Sequence, residues 1–222
     1  MKLLIRALVL SVCCNAALGQ HDVTAKYGPW AFSGVLMPSS EFLGFIGPNY
    51  QRLRIQFGSI KQDDKNPLLY HVTGTSQVKQ NKCDFEGTIT LVQITDIDKG
   101  SEDFEPYKDS HPRDVGTARG RYEFRENPKQ KNSGVFSGEM RVDWFLSEDG
   151  TLVTDDVMAG ADGYRNNQYK GTWTSYAPGA KSKTASWGEY RIPESGDLDW
   201  GAAEFMPNPA FKHNGWDDYK TN

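Results

Sequence analysis

Cysteine is scarce in this chain of 222 residues: there are three, at positions 13, 14 and 83. Two of them lie in an N-terminal leader, so the remainder has no partner for an intramolecular disulfide and must be held by its core. Long apolar runs are also missing. The run from Ala7 to Cys14 is far short of the roughly 20 residues that a membrane-spanning helix needs, so no membrane span is expected. There is no excess of basic charge, since 25 Lys and Arg stand against 29 Asp and Glu for a net charge of −4. No basic run breaks that pattern, which argues against nucleic acid or an anionic membrane as a partner. No window carries a helical apolar stripe. Neither a Gly-x-Ser-x-Gly elbow nor a phosphate-cradling glycine loop is present, and the four histidines (21, 71, 111 and 213) show no metal spacing.

What is present begins with a leader. Lys2 and Arg6 form a basic start, Ala7–Cys14 an apolar stretch, and Ala17-Leu18-Gly19 the small residues at which a signal peptidase cuts. Residues 1–19 are therefore expected to be a signal peptide, with Gln20 the new N-terminus and the mature protein secreted, periplasmic or extracellular. Losing Lys2 and Arg6 takes the net charge to −6. The remaining length suits one all-β domain.

Period two dominates the mature chain. Leu53, Ile55 and Phe57 alternate with Arg52, Arg54 and Gln56, and Phe85, Ile89 and Leu91 with Glu86, Thr88 and Thr90. Tyr122 and Phe124 alternate with Arg121 and Glu123, and Phe136, Met140, Val142 and Trp144 with Ser137, Glu139, Arg141 and Asp143. Such strands bury one face and wet the other. Glu148-Asp149-Gly150-Thr151 predicts a hairpin turn, because an Asp-Gly pair accepts positive φ. Residues 96–118 read as one long polar insertion.

An aromatic-polar-Gly unit recurs at Phe32-Ser33-Gly34, Phe85-Glu86-Gly87, Phe136-Ser137-Gly138 and Tyr169-Lys170-Gly171. Ring and glycine share a face. A strand glycine leaves room for a neighbouring ring and lets a sheet bend, as curved sheets and barrels require. The strand spacing predicts an antiparallel meander of about 8–10 strands, closed or nearly closed into one barrel, over residues 20–185. Residues 186–222, with much of the tryptophan, are expected to be an irregular segment packed on the same domain.

Tyr169-Lys170-Gly171-Thr172-Trp173 resembles the Gly-x-Trp unit of the lipocalin and avidin group, the calycins. The resemblance implies a calycin-like barrel and carries over no binding residue. The block Trp187-Gly188-Glu189-Tyr190-Arg191-Ile192-Pro193, followed by Ser195 to Ala202, is similar to a signature block of uncharacterised secreted bacterial proteins, which implies no activity.

Three chemistries have candidate residues. Flat rings with aimed polar groups suit a small molecule or glycan, and Trp187, Tyr190, Arg191, Asp197 and Asp199 are the expected lining, with Asn167 nearby if the chain folds back. The same residues also read as purely structural, with Arg191 pairing Asp197 or Asp199 to fix a loop. A polysaccharide hydrolase needs two carboxylates across one bond, and Glu189, Asp197, Asp199 and Glu204 are available. The acidic run Asp96–Asp103 offers oxygens for a hard cation but departs from the EF-hand pattern, so no metal or other cofactor is expected. A secreted, non-enzymatic binding protein for a small molecule or glycan is the expected function, with an extracellular structural or adhesion component as the alternative and the hydrolase as the second. The sequence leaves the oligomeric state open.

Overall fold

The computed structural model describes residues 20–219, and the signal peptide expected at residues 1–19 lies outside them. The domain is an all-β antiparallel barrel. Its strands in chain order are β1 (Gln20–Asp22), β2 (Leu43–Ile46), β3 (Gln51–Gln62), β4 (Leu69–Val78), β5 (Asn81–Ile97), β6 (Asp114–Glu126), β7 (Gly134–Leu146), β8 (Leu152–Thr154), β9 (Asn166–Ser175) and β10 (Lys183–Glu189). Eight of them close in the spatial order β5-β4-β3-β2-β10-β9-β7-β6, and β6 returns to pair with β5. β1 and β8 lie outside the ring, against β5 and β7. The predicted Asp-Gly turn joins β7 to β8, with Gly150 at φ +90. Strand pairing reaches further into the polar insertion than composition implied: β5 extends to Ile97 and β6 begins at Asp114, so the connection is residues 98–113.

Rings fill the interior. Phe57, Phe85, Tyr122, Phe124, Phe136, Tyr169 and Trp187 are all buried in one cluster. Trp187 stacks on Tyr169 at 5.1 Å between centroids, and Tyr122 meets both rings edge-on. Each fully buried ring of this kind contributes roughly 1.5–3 kcal/mol. The strand glycines make this packing possible. Gly74 lies opposite both Phe57 and Phe85, and Gly138 opposite both Tyr122 and Gly171. A Cβ at Gly138 would fall 2.1 Å from the carbonyl oxygen of Lys170, so β7 and β9 touch backbone to backbone there. The first copy of the motif differs, because Phe32-Ser33-Gly34 lies in a helical turn and nothing stands within 4 Å of a Cβ at Gly34.

One barrel end is stoppered by the N-terminal segment, in which α1 (Thr24–Tyr27) and α2 (Ser33–Leu36) are single turns. Tyr27 and Phe32 pack on Trp144 at 5.0 and 6.2 Å. The chain then runs past Glu189, whose Oε1 accepts hydrogen bonds from the backbone N–H and hydroxyl of both Ser39 and Ser40 at 2.8–3.0 Å. The loops beside this end are held by Asp155. Its Oδ2 accepts the Tyr107 hydroxyl at 2.6 Å, and its backbone oxygen accepts from the Tyr164 hydroxyl and from Asn166 Nδ2. Burial outweighs these donors and pushes the Asp155 carboxyl up from its ordinary value.

The segment after β10 covers the outside of the seam. β10 continues to Glu189, so the irregular stretch begins at Tyr190 and not at Ser186. Leu43 and Phe45 of β2 pack against Ile192, Leu198, Phe205 and Trp216 in a second apolar cluster. Arg52 is sandwiched there, 5.2 Å from the Trp216 ring and 2.6 Å from an Asp218 oxygen.

Gly138→Ala is expected to cost about 3 kcal/mol or more, because the added methyl meets backbone that has nowhere to go. Gly160→Ala, where a Cβ meets nothing within 4 Å, is expected to gain about 0.4–1 kcal/mol by restricting the unfolded chain. Urea midpoints decide the pair, and equal effects would remove the close-approach argument. The raised Asp155 carboxyl makes a second prediction. Between its ordinary value of 3.8 and its raised value the native state binds more protons than the unfolded chain, so this group favours folding less as pH rises. Asp155→Asn is therefore expected to gain stability relative to the parent as pH rises from the acid range towards 7. A reversed trend in denaturation midpoints would mean that the ionised carboxylate stabilises the loops.

Candidate functional site

The structure disperses the residues expected to line a site. Trp187 and Asn167 are inside the barrel: Trp187 belongs to the ring stack, and Asn167 donates from Nδ2 to the Leu36 carbonyl at 3.1 Å, with φ at +49. Arg191 and Asp199 do meet, through Nε and one terminal nitrogen to Oδ2 at 2.9 and 2.8 Å. The Arg191 guanidinium also donates to the carbonyls of Gly201 and Ala202, and Asp199 Oδ1 accepts from the N–H of Gly201 and Met206. The pair fastens a loop. Tyr190 is exposed and packs edge-on to Tyr164 at 4.8 Å. Tyr190 and Arg191 share a shallow concavity of about 400 Å³ with Tyr164 and Tyr219. Asp197 is exposed in a 3-10 turn, where its carbonyl accepts from Asn208. Glu189 is fully buried at the stoppered end, so Glu189 and Asp197 do not flank one cleft. In the acidic run, Asp98 caps its own turn by accepting from the Gly100 N–H. No group of three or more His, Cys, Asp and Glu is placed to hold a metal among the described residues.

The opposite barrel end is open, and a concavity of about 890 Å³ lies in its mouth. The last inward-facing positions of the strands make its floor: Ile46 of β2, Val78 of β4, Phe136 of β7 and Trp173 of β9. Among them is a carboxylate, Glu126, at the end of β6 and only 4% exposed. Its Oε1 accepts the Ser76 hydroxyl, and its Oε2 accepts the Gly134 N–H at 2.7 Å and Trp173 Nε1 at 2.9 Å. One side chain thus ties β4, β6, β7 and β9 together and fixes the Trp173 indole. Gly134 makes room for that ring, since a Cβ there would stand 2.8 Å from it. Lys79, Lys181 and Lys183 stand at the rim, and Lys183 Nζ lies 5.5 Å from the Trp173 centroid. The site therefore offers a flat apolar floor, a fixed indole, and cations at the solvent edge. This suits an amphipathic molecule with a negative group.

Of these residues, Trp173 stands in the Gly-x-Trp unit, whereas Glu126 and the three lysines carry no motif. The alternation that sends Tyr122 and Phe124 inward also sends Glu126 inward, so period two held the signal for an inward carboxylate. No family model, curated protein or solved structure matches this chain.

Arg191→Leu strips Asp199 of its cation and the Gly201 and Ala202 carbonyls of their guanidinium donor. Hydrogen exchange is expected to show lost protection at the Gly201 and Met206 amides with the barrel strands unchanged. Unchanged protection at both amides would mean that the ion pair does not hold the loop.

Proposed function

We propose that this chain is a secreted, non-enzymatic binding protein that takes a small amphipathic molecule in the open barrel end. One observation carries the reading. The interior is filled with rings and one end is stoppered, yet the other end keeps a hollow of about 890 Å³ with an apolar floor under a cationic rim. An apolar body of the ligand lies on Phe136 and Trp173, and its anionic group meets Lys79, Lys181 or Lys183. The expected leader at residues 1–19 is in keeping with export. A second reading, an extracellular structural or adhesion component, is favoured by Trp200. That ring is 60% exposed beside the exposed Met206, to whose carbonyl the Trp200 N–H donates.

Native mass spectrometry of the mature protein, recovered from its own secretory compartment, separates the readings. The carrier reading expects an added mass that vanishes on denaturation and is absent from Trp173→Ala. A bare chain mass that stays bare with dodecanoate and dodecyl sulfate would overturn it. A clean multiple of the chain mass would favour the assembly component.

A further inference from the structure

A third concavity, of about 690 Å³, lies on the outer wall of the barrel and shares no residue with the mouth. Its floor is the outward face of β6, β7 and β9, and the segments 102–110 and 155–165 wall it in. Register fixes the charges on that floor. Arg119 lies directly opposite Arg141, Arg121 opposite Glu139, and Glu139 opposite Lys170. Like charges directly opposed across an antiparallel pair destabilise it. Arg141 is compensated by Asp143, through Nε and one terminal nitrogen at 3.0–3.1 Å. Arg119 and Arg121 are exposed, and so is Arg165 on the loop wall. None of these three has an acidic partner among the described residues. A chain with an overall excess of acid thus gathers five cations against three carboxylates in one groove.

The rest of the groove is neither a salt-bridge lattice nor an apolar slot. Tyr107 and Tyr164 line it, and both hydroxyls are bound to Asp155, so what they offer a ligand is ring surface. Gln168 lies on the floor with its Oε1 lacking any donor. Guanidinium forks suit planar or tetrahedral oxyanions, to which they can make two parallel bonds. Arg119 and Arg121 repeat at about 6.6 Å along β6, the rise of two strand residues. Ring faces beside spaced guanidiniums match a ligand of stacked rings with spaced negative groups.

We propose that this outer groove binds an acidic saccharide, with Arg119, Arg121 and Arg165 seating its carboxylate or sulfate groups and Tyr107 and Tyr164 packing on its rings. The opposed Arg119–Arg141 pair is then the part of the free protein that the ligand relieves. The site is independent of the barrel mouth, so either can fail without the other.

The test is calorimetric titration of the mature protein with trigalacturonic acid, a sulfated galactose trimer and the neutral galactose trimer. Acidic trimers are expected to bind at least about tenfold tighter than the neutral one, in line with hydrogen bonds to charged groups, and to weaken in about 0.5 M NaCl. The carboxylate and sulfate arms show which anion is preferred. Arg119→Ala and, on the other wall, Arg165→Ala are each expected to weaken binding by about tenfold. Arg119→Ala is also expected to leave the unfolding temperature equal or higher, because it removes the like-charge contact, so lost binding is not lost folding. Trp173→Ala is expected to leave the titration unchanged. Equal binding of the neutral trimer, no binding of either acidic trimer, or unaltered binding by both arginine variants would overturn the proposal. So would tighter binding of a single-stranded DNA dodecamer.

Discussion

Everything in this barrel depends on how closely its strands approach where rings must fit. Closing eight strands fixes an interior, and here large rings fill it. Two such rings cannot face one another on every neighbouring strand. The chain sets glycine opposite aromatic, as at Gly74 between Phe57 and Phe85 and at Gly138 beside Tyr122. The absent Cβ atoms let backbone press on backbone, and the rings spread into the space so released. The same filling leaves the Tyr122 and Tyr169 hydroxyls and Trp187 Nε1 without hydrogen-bond partners. Each such group carries a penalty of about 1–3 kcal/mol, which the ring packing must exceed. A filled interior leaves ligands the ends and outer wall, and one end is already stoppered.

The barrel was legible in the sequence because period two and glycine placement are both local signals. Strands β3 to β7 carry them over ten residues or more. What was not legible is what distant segments do to one another. The four residues of β2 pair with β10, most of the chain away, and no short window reports that. Phe32-Ser33-Gly34 copies the strand motif, yet it serves the stopper, where Phe32 meets Trp144. Arg52 sits at a polar position of its alternation and is nevertheless buried, because the C-terminal segment lies over it.

The candidate sites show the same limit. Trp187 reads as part of a Trp-rich, irregular block with Asn167 folded back beside it, but β10 runs through Trp187 to Glu189, and parity turns the tryptophan into the ring stack. Arg191 and Asp199 do pair, one of the two partners that composition allowed. The mouth and the groove are both built from strand parity and register: Glu126 by facing inward, Arg119 and Arg141 by lying opposite on the outer face. Parity can be read from sequence, while register needs the paired strand.

The shortness of β2 has a kinetic meaning. It is joined to β3 through only Phe45 and Ile46, opposite Arg52 and Gln51, and to β10 through four residues. Every other junction in the ring is longer. The contact of β2 with β10 closes the longest loop in the ring and so carries the highest closure entropy, and it is expected to form late. The C-terminal segment straps it from outside through Leu43 and Phe45. With Cys83 the lone cysteine among the described residues, no disulfide there backs up this seam, and residues 190–219 act as a latch across a zip.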